Sequence, residues 1–154
     1  MKNYVYKEAK AFSTNEINIF KNILINANEV SEVTFDGLIE KNPKLLIVGN
    51  IKEPLGIAAL KNPNKTYKEK VFRLSGTEKD SKEYRFELGW VVSLEKGNGN
   101  KIVELISNSE NNIYSTVREK NQKMISLLKK YGFSQAGNSY KSERGDYQIL
   151  LFVK

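Results

Sequence analysis

A chain of 154 residues without cysteine or histidine is long enough to bury one core with neither disulfide nor structural metal. The same two absences remove Ser-His-Asp and Cys-His catalysis and nearly all zinc chemistry. The formal net charge of +7 is unevenly placed, because residues 1–60 set seven lysines against seven acids and the whole excess lies in residues 61–154; this suits a polyanionic ligand, and equally a lysine-rich solvated surface.

There is no leading basic-then-apolar segment and no run of about 18 apolar residues, so neither secretion nor membrane spanning is expected and a cytoplasmic location is the default. Residues 1–154 are read as one domain.

In chain order, residues 3–9 suit a first strand. Ser13-Thr14-Asn15-Glu16 then has the spacing of a capping box, opening a helix whose buried face is Ile17, Phe20 and Leu24. A short second helix is expected over Thr34–Lys41, with Phe35, Leu38 and Ile39 apolar and Asn42-Pro43 ending it. Leu45–Gly49 and Leu55–Leu60 read as a hairpin around Glu53-Pro54. Residues 61–83 are polar, yet Tyr67, Val71 and Leu74 recur at helical spacing and Ser75-Gly76 closes the run, which predicts an inserted helix followed by a mobile loop.

The chain is organised around Glu87-Leu88-Gly89-Trp90-Val91-Val92-Ser93, which continues through Gly97-Asn98-Gly99 into Ile102-Val103. The first part is apolar and β-branched, as a buried strand requires, and the last has apolar residues at helical spacing. Glycines between them allow a sharp turn and close approach of a ligand, while the N–H groups opening the helix suit an anion such as pyrophosphate. A plain strand-to-helix turn uses glycine just as readily.

Beyond it, Ile113–Arg118 reads as a strand, and Glu119–Tyr131 as an amphipathic helix with Met124, Leu127, Leu128 and Tyr131 on one face and Gly132 at its end. Phe133–Tyr140 and Tyr147–Val153 are expected as two closing strands joined by residues 141–146.

This order of elements resembles the GNAT superfamily of acyl-CoA-dependent N-acyltransferases. Glu87–Val92 is similar to the family's long fourth strand and Gly97-Asn98-Gly99 to the end of its Q/R-x-x-G-x-G/A loop. Val117-Arg118-Glu119-Lys120-Asn121 through Tyr131-Gly132-Phe133 is similar to its second cofactor motif. The resemblance implies an α+β fold: a mixed, mostly antiparallel sheet of about six or seven strands, splayed between the fourth and fifth and flanked by about four helices. It implies acetyl-CoA as co-substrate, met by backbone groups of Val91 and Val92, by Lys96, Gly97, Asn98, Gly99, Asn100 and Lys101 at the phosphates, and by Asn121. No metal is implied. Edge-strand pairing into a homodimer is common in the family.

Two departures accompany it. Leu94 takes the place of the usual Gln or Arg, with Lys96 and Lys101 as alternative charges, and the turn is about two residues short. Leu128 stands four residues before Gly132, where many members place a tyrosine that protonates the departing thiolate. Tyr131 fits the core stripe instead, leaving Tyr114, Tyr140 and Tyr147 as substitutes. Glu87 resembles the position of a carboxylate base in some members; as a strand Glu it would otherwise face solvent or an ion pair.

The implied reaction is direct attack of a small-molecule or peptide amine on acetyl-CoA, with no covalent enzyme intermediate. A degenerate domain that binds acyl-CoA or a protein without transfer is the alternative. A weaker reading, an acetyltransferase acting on tRNA, rests on Lys65, Lys68, Lys70 and Arg73 interleaved with Tyr67 and Phe72 and predicts RNA binding that falls steeply with salt.

Overall fold

The computed structural model describes residues 3–154. Its elements run β1 (Tyr4–Glu8), α1 (Thr14–Asn26), α2 (Glu32–Ile39), β2 (Lys44–Gly49), β3 (Pro54–Lys61), α3 (Lys65–Ser75), β4 (Phe86–Ser93), α4 (Asn98–Ser109), β5 (Ile113–Arg118), α5 (Gln122–Lys130), β6 (Ser134–Gln135), β7 (Tyr140–Lys141) and β8 (Gln148–Val153). The strands make one mixed sheet in the order β1-β2-β3-β4-β5-β8-β6, with β7 also on β8. Among the described residues this is an α+β fold with five α-helices and eight strands. No described helix is long and apolar enough to cross a membrane. The chain gathers into two compact units, one holding the residues up to Asn62 with Leu88–Ile102, the other Pro63–Glu87 with Val103–Lys154.

In the first unit, β1 pairs antiparallel with β2 and β2 with β3. The register sets Leu45 opposite Ala59 and Ile47 opposite Ile57, so these four side chains share one face. Phe20 and Leu24 of α1 and Phe35 of α2 join them in one buried cluster. Each fully buried side chain of this size contributes roughly 1.5–3 kcal/mol. The expected capping box closes both ways: Glu16 N–H donates to Ser13 Oγ at 3.2 Å and Ser13 N–H to Glu16 Oε1 at 2.9 Å. Helix α2 starts two residues earlier than expected, because Ser31 accepts from Thr34 N–H and caps it.

In the second unit, β5 and β8 are antiparallel, with Tyr114 opposite Val153, Thr116 opposite Leu151 and Arg118 opposite Ile149. Tyr140 of β7 also sits opposite Ile149. Tyr114, Thr116 and Tyr140 therefore belong to the same face of the sheet. Val71 and Phe72 of α3 lie in the buried cluster with Tyr114, Leu151 and Val153, and the Phe72 ring meets that of Tyr114 edge-on, with centroids 5.4 Å apart.

The insertion is helical as expected, but its buried stripe differs. Val71, Phe72 and Ser75 are covered, whereas Tyr67 and Leu74 are 40% and 41% exposed. The segment after it carries a 3-10 turn at Ser81–Glu83, held by Lys82 N–H donating to Asp80. Helix α5 begins at Gln122 rather than Glu119, and Ile125, absent from the expected stripe, is buried together with Leu128.

The expected strand over Phe133–Tyr140 is broken into β6 and β7. Gly137 lies between them at φ +73, with a Cβ built on it only 2.1 Å from the carbonyl oxygen of Ser75. Asn138 N–H donates to that same oxygen at 2.8 Å. The chain leaves the sheet here to close against the end of α3, an approach only glycine permits.

Candidate active site

Strand β4 departs from regular geometry at Trp90, whose φ is +54. A bulky residue in the left-handed region is strained by about 1–3 kcal/mol and persists only where its surroundings over-determine it. Here the indole is buried, stacked on Phe35 with centroids 5.2 Å apart and tilted against Phe20 at 6.3 Å. The aromatic cluster under α1 and α2 thus holds the kink just before Val91 and Val92, both of which are half-buried.

After Ser93, Leu94 N–H donates to Leu55 O at 2.9 Å and ties the chain to β3. Lys96 and Gly97 form an exposed turn, with Gly97 at φ +93 and no heavy atom within 4 Å of a Cβ built there. Helix α4 then starts at Asn98. The expected loop of Lys96 to Lys101 is therefore half helix: Asn98, Gly99, Asn100 and Lys101 form the first turn of α4. Polar residues and glycine are tolerated there because the first-turn N–H groups have no intrahelical acceptor. Gly99 is buried and Lys101 exposed. A strand running into a glycine turn and the N-terminus of a helix fits the phosphates of a CoA in residue type and backbone form.

In the second unit, Glu87 is only 2% exposed. The solvent-facing alternative for this residue does not hold. It sits opposite Tyr114 in the parallel β4–β5 ladder, which pairs only Phe86 with Ile113 and Glu87 with Tyr114. Tyr67, from the first turn of α3, donates its hydroxyl to Glu87 Oε2 at 3.0 Å, and the Thr116 hydroxyl bonds the same phenol oxygen. Tyr114 is fully buried and its hydroxyl has no hydrogen-bond partner.

Burial, then the charge of Glu87, pushes the Tyr140 phenol up to about 12. Burial first and Glu87 second drive Tyr67 and Tyr114 higher still. All three phenols keep their protons near neutrality, so this unit holds one buried carboxylate ringed by hydroxyl groups. Tyr147 is not among them, since its ring lies under the Arg118 guanidinium at 4.1 Å. Asn121 caps α5, its Oδ1 accepting from Met124 N–H at 3.2 Å.

Comparison with solved structures matches nearly the whole chain. An acyl-CoA N-acyltransferase from Pseudomonas aeruginosa gives a TM-score of 0.62 at 14% identity, covering 99% of this chain and 98% of that one. The ribosomal-protein-S18-alanine N-acetyltransferase from Escherichia coli gives 0.64 at 14% identity, covering 97% and 91%. Arabidopsis thaliana NAA60, solved with a bisubstrate analogue, gives 0.62 at 12% identity, covering 98% and 97%. This is the GNAT fold. No protein-family model and no curated protein matches the sequence.

The GNAT fold departs here from the implied strand and helix numbers for two reasons: α3 is inserted between β3 and β4, and the closing strand splits at Gly137. That insertion supplies Tyr67, whose link to Glu87 the sequence reading missed. Helical spacing had assigned Tyr67 to the buried stripe beside Val71. Thr116 was also missed, although its place two residues from Tyr114 on a strand puts both on one face. Leu128, at the position where the resemblance implies a tyrosine, is fully buried.

Proposed function

We propose that this chain is an N-acetyltransferase that moves an acetyl group from acetyl-CoA to a primary amine of a small molecule or peptide. The observation that carries the reading is the buried carboxylate of Glu87 on the strand that leads into the glycine turn and α4. A buried carboxylate with phenolic neighbours is suited to take a proton from an ammonium group.

Acetyl-CoA supplies the activated acyl group. Glu87 takes one proton from the acceptor, freeing the nitrogen lone pair. The C–N bond forms at the acyl carbon as the C–S bond breaks; the thiolate leaves with the electron pair and takes up the second proton, shed by the acylated nitrogen, to end as the CoA thiol. Backbone groups of Val91 and Val92 align the donor, and the first turn of α4, from Asn98 to Lys101, takes its phosphates with Lys96 beside them.

Thermal unfolding with acetyl-CoA tests the donor half. A ligand at 100 times its dissociation constant stabilises by about 2.7 kcal/mol, so a clear rise in melting temperature is expected, followed by CoA release when amines are screened. The buried Leu128 favours a second reading, a domain that binds acyl-CoA without transfer. It predicts the same rise with no CoA released by any amine. No rise with any acyl-CoA would remove both readings.

A further inference from the structure

Glu87 can work as a base only once per proton, and it lies 2% exposed, out of reach of bulk water. Each turnover leaves the amine's proton on its carboxyl, and that proton must go before the next acceptor is served. Tyr67 bonds Glu87 Oε2 at 3.0 Å and, although its phenol oxygen is largely covered, is as a residue 40% exposed. It stands in the first turn of α3, outside the stripe of Val71, Phe72 and Ser75 that the helix buries.

We propose that Tyr67 is the proton outlet of Glu87, a relay residue that acts through the base and does not touch the acyl group. The inference rests on the acetyltransferase reading above. At rest the Tyr67 O–H donates to the carboxylate. Once Glu87 is protonated the bond reverses, so that the carboxyl O–H donates to the phenol oxygen while the phenol proton turns to water. Transfer then breaks the carboxyl O–H and the old phenol O–H, forms a new phenol O–H and delivers one proton to solvent. Tyr67 begins and ends neutral and Glu87 regains its charge.

The buried hydroxyl of Tyr114 does not offer the same route. Tyr114 is fully buried with its hydroxyl unpartnered, so it has no contact with water to release into. Thr116 bonds the phenol oxygen of Tyr67 and steadies the relay oxygen from the sheet side.

The test is steady-state CoA release by wild type and Tyr67→Phe, with the best amine found, across a series of concentrations of a small proton carrier such as imidazole. The variant keeps the ring and loses only the hydroxyl. Its turnover should fall by roughly a hundredfold in dilute buffer, with KM for acetyl-CoA unchanged, and should recover as the carrier concentration rises. Wild type should show no such dependence. A variant as fast as wild type, or one slowed at every carrier concentration alike, would overturn the relay and leave the acetyltransferase reading standing. Failure of wild type itself to release CoA with any amine would overturn both.

Discussion

Gly56 and Ile102 meet so closely that a Cβ on the glycine would stand 2.9 Å from Ile102 Cδ1, and the same Cβ would stand 3.2 Å from the carbonyl oxygen of Val92. Gly56 is thus where β3 lets the start of α4 and the end of β4 come together. Nothing in the local sequence singles it out, since Leu55-Gly56-Ile57 reads as an ordinary strand weakened by a glycine.

Gly56→Ala is expected to destabilise the fold by about 1–3 kcal/mol, the usual cost of overpacking a close-packed site. Ile102 can give by rotating, but the Val92 carbonyl is backbone and moves only with the strand. Denaturant unfolding gives the stability. The same variant should lose most of the stabilisation by acetyl-CoA, because the displaced atoms belong to the strand end and helix start to which the proposed function assigns the donor. A variant with normal stability and a normal acetyl-CoA response would show that β4 and α4 tolerate separation here.

Ser13→Ala removes one half of a capping box far along the chain from Glu87. The loss of a good N-cap costs about 1 kcal/mol, and it should appear as a lower midpoint of unfolding with an unchanged slope. CoA release per folded molecule should be unaffected. An effect on turnover would mean that α1 contributes to the acceptor side of the chemistry.

The elements that could be read from sequence are those whose signals are local. Ser13 and Glu16 carry both halves of a cap. Ile113–Arg118 is rich in β-branched residues as a strand should be, and the hairpin of β2 and β3 is bounded by turn residues. What could not be read depends on contacts distant in sequence. Which face α3 buries is decided by Tyr114, Leu151 and Val153, so the stripe inferred from Tyr67, Val71 and Leu74 alone was rotated. The break at Gly137 exists because Ser75 passes against it, and the kink at Trp90 because Phe20 and Phe35 hold its ring. For the site, Glu87 was named only by its resemblance to a carboxylate position in the family. Its phenolic surroundings come from α3, β5 and β7, which only the folded sheet places around one carboxylate.

The buried phenols predict an alkaline weakness. A phenol whose pKa is raised by folding favours the folded state fully below its unfolded value near 10 and loses that contribution as pH climbs through the folded value. For Tyr140, pushed up to about 12, the loss falls between about pH 10 and 12. The melting temperature should drop over that window, and Tyr140→Phe, with no proton to release, should drop less steeply. Ultraviolet phenolate absorbance should show part of the tyrosine complement ionising only as the protein unfolds. Identical alkaline profiles for wild type and variant would mean that Tyr140 is more open to water than its place beside Glu87 implies.

Glu87→Gln separates the base from the donor site. The amide has nearly the shape of the carboxylate and can still take the Tyr67 hydroxyl as a donor, so the link between α3 and β4 should survive. What it cannot do is accept the acceptor's proton. CoA release should therefore fall by about a hundredfold or more, while the rise in melting temperature caused by acetyl-CoA stays as in wild type, since the phosphates are assigned to the Lys96–Lys101 segment and not to this residue. Raising the pH should restore part of the lost rate, because more of the amine then arrives already neutral and no longer needs a base. Full activity in Glu87→Gln at neutral pH would remove this residue from the reaction and leave its burial as a structural feature of β4. Loss of the acetyl-CoA effect together with the activity would instead show that the substitution disturbs the strand itself, and the pH recovery would then be absent.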